Sequence, residues 1–68
     1  MNRYLCPYEF IKLVNAACYQ YPMSELGDAL RVSHKTIDRW SEGKNLPYLD
    51  ARPNVARVLI GKIIDSLG

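Results

Sequence analysis

Apolar residues recur along this chain at the three-and-four spacing of helices, and that spacing breaks at Tyr21-Pro22, around Val32 and after Gly43. Phe10, Val14 and Ala17, widened by Ile11 and Cys18, form one face of a helix predicted from about Pro7 to Tyr19, while Glu9, Lys12, Asn15 and Gln20 stay in water. Proline suits the first helical position, where the missing N–H would have no partner. Tyr21-Pro22 ends this helix and a second begins by Met23, with Leu26, Ala29 and Leu30 at i, i+3 and i+4 as its apolar stripe. Val32 plugs the turn that follows. Ser33 is a good N-cap for a third helix, because its hydroxyl accepts from amides two or three residues on, and Ile37 and Trp40 are that helix's buried side. Gly43 is placed to end it in a left-handed cap. The segment KNLPYL is then a loop with room for an extra turn near Pro47, and a last helix starts between Asp50 and Pro53 and runs to about Leu67. The pattern predicts an all-α fold, a compact bundle of four to five short helices in one domain over residues 1–68, without repeats or linkers.

Across residues 24 to 43 the apolar pattern changes phase twice about a short turn, which is how a helix-turn-helix is written. If Ile37 and Trp40 are buried, His34, Lys35, Asp38 and Arg39 point the other way. A helix held like this presents four polar side chains outward, and the major groove of DNA accepts a helix of that diameter.

The string Leu26, Leu30, Val32-Ser33, Thr36-Ile37, Trp40, Gly43-Lys44 and Pro47 resembles the helix-turn-helix of the Cro and phage-repressor family of bacterial regulators, over roughly residues 23 to 47. The family usually has alanine at the place of Gly27 and glycine at the place of Arg31. The resemblance implies a lambda-repressor-like DNA-binding domain whose base-contacting positions match His34, Lys35, Asp38 and Arg39. Lysine and arginine can donate to guanine O6 and N7, and aspartate can accept from cytosine N4. Around them Ser33, Thr36, Lys44 and Asn45, with Arg31 and Arg52 as lesser candidates, are expected to hold phosphates and set register without reading sequence.

Charge supports a nucleic-acid partner through its distribution. The chain carries only +2 overall, but residues 31 to 57 hold six basic against three acidic side chains, and the remainder is net negative. Sixty-eight residues with 49% hydrophobic content make one small domain, which buries only about 60% of its unfolded surface. No apolar run approaches the roughly 20 residues of a membrane span, and the start MNRYLCPYEF lacks a signal peptide's apolar stretch, so a cytoplasmic location is expected, which the resemblance narrows to the bacterial cytoplasm or nucleoid.

Other chemistries find little support. Cys6, Cys18 and His34 are too few for a four-ligand zinc site, and Cys18 reads as a buried apolar residue. One histidine, no phosphate-binding glycine loop and no triad partner for Ser33 and His34 argue against an enzyme, and no metal, cofactor or small-molecule ligand is expected. Trp40, in register with Ile37, belongs to the core and not to a base-stacking platform.

The last helix is apolar on two neighbouring stripes. Val55, Leu59 and Ile63, widened by Val58, make one, and Ala56, Ile60, Ile64 and Leu67 the other. Either a four-helix core takes both, or Ile60, Ile64 and Leu67 are covered by a second copy, making a homodimer. The resulting expectation is a small repressor acting by operator occupancy. The rivals are an excisionase-like or antitoxin-like accessory DNA-binder and a helical protein-interaction module.

Overall fold

The computed structural model describes residues 6–67, and the outer ends of the predicted domain, residues 1–5 and 68, lie outside them. Four helices are present among the described residues: α1 (Pro7–Gln20), α2 (Met23–Leu30), α3 (His34–Ser41) and α4 (Arg52–Leu67). None is long and apolar enough to cross a membrane.

Local chemistry accounts for the boundaries. Cys6 is extended ahead of Pro7, and its carbonyl accepts from the Phe10 amide at 3.0 Å. Pro22 forces Tyr21 into extended backbone, which ends α1, and its own carbonyl starts α2 by accepting from Glu25 and Leu26. The extra turn expected near Pro47 is present: the Tyr48 carbonyl accepts from the amides of Ala51 and Arg52, a single turn that delivers the chain into α4.

α1 and α4 run side by side in one direction. The Arg52 guanidinium lies 5.9 Å from the Phe10 ring centre at one end, and the Tyr21 hydroxyl donates to the Lys62 carbonyl at 2.7 Å at the other. α3 packs across α1, where Phe10 meets Trp40 edge to face with ring centres 5.9 Å apart. α2 closes the bundle, tied to α4 by a 2.7 Å bond from Lys62 to Glu25. That bond raises the Lys62 pKa above the ordinary lysine range, against the opposing effect of burial.

The core consists of Phe10, Leu13, Val14, Ala17, Leu26, Ile37, Trp40, Ala56 and Leu59. Three helices differ in places from the sequence expectation. Leu13 is buried while Ile11 and Cys18 are only partly so, because α1 touches every other helix and its apolar face is centred on Phe10 and Val14. Ala29 is exposed and Gly27 buried, since α2 faces its neighbours along Leu26 and Gly27. Ile60 packs partly against the core, so the uncovered apolar part of α4 shrinks to Val58, Ile64 and Leu67.

Candidate nucleic-acid interface

The turn between α2 and α3 is three residues, Arg31 to Ser33. Arg31 is left-handed, with φ 59° and ψ 44°, and is the only non-glycine residue with positive φ among those described. The Gly27 carbonyl accepts from the amides of both Arg31 and Val32, the Val32 bond at 3.1 Å, so the chain reverses tightly over the end of α2. A side chain at Gly27 would meet this reversal: a Cβ there would lie 2.9 Å from the Val32 carbonyl oxygen and 3.3 Å from Cδ2 of His34.

Ser33 caps α3 as its sequence predicts, its Oγ accepting from the Thr36 amide at 3.2 Å. The same oxygen lies 2.9 Å from Thr36 Oγ1, so the two hydroxyls share one hydrogen and keep one to donate elsewhere. Ser33 also supplies its carbonyl to the amides of Thr36 and Ile37, which leaves the first two amides, of His34 and Lys35, at the open end of the helix. The other end is closed by Gly43 at φ 75°, with Gly43 donating to Trp40 and Lys44 to Arg39, both at 3.0 Å. Asn15 of α1 fixes that end by donating to the Ser41 carbonyl at 3.2 Å.

With Ile37 and Trp40 turned into the core, His34, Lys35, Asp38 and Arg39 are all exposed on α3, as the spacing predicts. They are not equivalent. The His34 ring lies beside Gly27 of α2, at the edge of the face. The Cys18 thiol pKa is raised by burial, with the Asp38 charge adding to it. Lys35 and Arg39 are not tied to α1 or α2 by any bond among the described residues.

The phosphate candidates divide more sharply. Arg31, Ser33, Lys44 and Asn45 are exposed and Thr36 is half-buried, all at the turn, the cap or the loop that borders α3. Arg52 is not among them, contrary to the sequence expectation. It is buried, its Nε and Nη2 donate to the Pro47 carbonyl at 3.1 and 2.8 Å, and it serves to pin the loop onto the start of α4. Glu42 belongs to this surface as well. It stands one turn after Asp38 on the exposed side and holds Lys44 Nζ at 3.3 Å. The two acids stand four residues apart, the spacing of a mildly repulsive pair on a helix surface. The exposed face therefore alternates in sign, with Arg31, Lys35, Arg39 and Lys44 set against Asp38 and Glu42.

Ile64 and Leu67 are 60% and 79% exposed on α4, far less covered than Ile60. Comparison of the chain with protein-family models, with curated proteins and with solved structures finds no match.

Proposed function

We propose that this chain is a sequence-specific, double-stranded-DNA-binding transcriptional regulator, a small repressor that acts by occupying its operator in the manner of phage and bacterial repressors. The observation that carries the proposal is α3 itself. It is a helix capped at both ends and anchored by Ile37 and Trp40, with polar side chains on its whole outward side. A rod with this profile suits the major groove.

In this reading Lys35 and Arg39 donate to guanine O6 and N7, Asp38 accepts from cytosine N4, and His34 contacts the groove edge beside the turn. The open amides of His34 and Lys35 and the spare hydroxyl hydrogen of the Ser33–Thr36 pair hold one phosphate. Arg31 on one flank and Lys44 with Asn45 on the other hold more, Lys44 exchanging Glu42 for the backbone. A second copy bound alongside makes the operator palindromic, with half-site centres about 10 bp apart.

Selection of bound fragments from sheared genomic DNA, followed by binding curves on the enriched site and a scrambled one, tests the proposal. The expected result is a short palindrome bound far more tightly than its scramble. A long non-palindromic site would move the assignment to an accessory, DNA-bending protein. Failure to retain any fragment at low salt would refute DNA binding and leave a helical protein-interaction module.

A further inference from the structure

α4 has an outward side that the bundle does not use. Opposite Arg52, Ala56, Leu59 and Ile63, which face the core, lies Gly61, bordered by Arg57 and Val58 before it and by Ile64 and Asp65 after it. A Cβ on Gly61 would have nothing within 4 Å, so no packing inside the molecule calls for glycine there. Glycine in a helix interior is nonetheless less favourable than alanine. Val58 and Ile64 beside it are 37% and 60% exposed.

We infer that this face docks a second copy of the same chain, with the two α4 helices packed antiparallel and crossing at Gly61. The evidence is the symmetry of what surrounds the glycine. Three residues to either side are Val58 and Ile64, both apolar, and four residues to either side are Arg57 and Asp65, of opposite charge. A two-fold axis through the glycines sets each residue level with the one equally distant on the other side, because the partner helix runs backwards. Val58 then meets Ile64 of the partner subunit twice, and Arg57 meets Asp65 of the partner subunit twice. A parallel pair would set Arg57 against arginine and Asp65 against aspartate, so charge selects the antiparallel arrangement. The missing side chain at Gly61 lets the two backbones approach closely where they cross. Arg57 keeps donors for the partner, since its bond among the described residues is to Asn54 Oδ1 of its own helix at 3.2 Å.

The interface differs from one centred on Ile60, which the core already holds. It also leaves the DNA face clear, because α4 lies along α1 and α2 and its backbone does not run beside α3. One helix against one helix is a small contact, so the dimer forms at high protein concentration.

Sedimentation equilibrium of the full chain without DNA, over a wide concentration range, is the test. A failure there would leave the DNA-binding proposal standing, and a failure to bind DNA would leave this one standing. Wild type is expected to show a reversible monomer–dimer equilibrium. Arg57→Glu and Asp65→Arg should each weaken it by roughly tenfold or more, and the double exchange should restore it. Gly61→Leu should abolish the dimer while circular dichroism shows an intact helical fold. A chain that stays monomeric at every concentration, a double exchange no better than the singles, or a Gly61→Leu protein that dimerises like wild type would overturn the inference.

Discussion

Arg31→Gly is expected to make the protein more stable and a poorer DNA binder. Arg31 occupies the left-handed region at φ 59° and ψ 44°, which costs a residue with a Cβ about 1 to 2 kcal/mol. Glycine removes that cost but gives the unfolded chain more freedom, which offsets about 0.4 to 1 kcal/mol of the gain. The side chain is exposed and makes no hydrogen bond or ion pair among the described residues, so little else is lost. The net effect is a stabilisation centred on about 0.8 kcal/mol, or roughly 3 to 6 °C in Tm for a domain of this size. Urea and thermal unfolding, followed through the single tryptophan Trp40, measure it directly. In DNA titrations over a salt series the same variant should lose about one counterion per copy from the slope. A variant that is no more stable than wild type would show that the left-handed turn is not strained or that the arginine side chain supports the fold. Unchanged salt dependence would remove Arg31 from the phosphate contacts.

Four further outcomes are expected. Trp40→Ala, which deletes a 7% exposed ring packed edge-on to Phe10, should cost about 3 to 5 kcal/mol; denaturant melts check this, and loss of DNA affinity with an unchanged melt would overturn the core assignment. Gly27→Ala should destabilise by about 1 kcal/mol, because overlap with the Val32 carbonyl at 2.9 Å outweighs the gain in helix propensity; a more stable variant would show that the turn can yield. Arg39→Ala should flatten preference at one base pair per half-site, about 1 to 3 kcal/mol of discrimination, while Lys44→Ala weakens operator and scrambled DNA alike; equal sequence-blind losses would mean that α3 does not read bases. Lys62, whose pKa is raised chiefly by its bond to Glu25, stabilises the fold fully below the unfolded lysine pKa. That contribution should fade as pH rises through the higher folded value, a loss that Glu25→Gln would reduce in alkaline melts.

The helix ends were legible in the sequence because each depends on a residue and its immediate neighbours. Pro7, Pro22, Ser33 and Gly43 act within four or five residues, and all four act where the pattern puts them. Faces are less legible, since helical period marks a stripe but its centre depends on which neighbours arrive. Leu13 is buried because α1 touches every other helix, and Ile60 is drawn inward because α4 lies along α1 and α2. Arg52 shows the limit most clearly. A charged residue opening a helix reads as solvent-exposed, and only the path of the loop brings the Pro47 carbonyl and the Phe10 ring to it.

That burial changes how the proposed interface would work. Without Arg52, the exposed cations bordering α3 among the described residues are Arg31, Lys35, Arg39 and Lys44, interleaved with Asp38 and Glu42. These four cations account for about four phosphates per copy, a contribution of about −3.6 to the logarithmic salt slope. Two carboxylates on the same face repel the DNA backbone everywhere except where Asp38 finds an amino group to accept from. Non-specific affinity should therefore be low for a DNA-binding protein, and discrimination should come from the groove contacts of α3. Asp38→Asn separates the two effects: affinity for scrambled DNA should rise while preference for the operator falls. If affinity for both sequences rises equally, Asp38 is only a repulsive charge and the cytosine contact assigned to it is wrong.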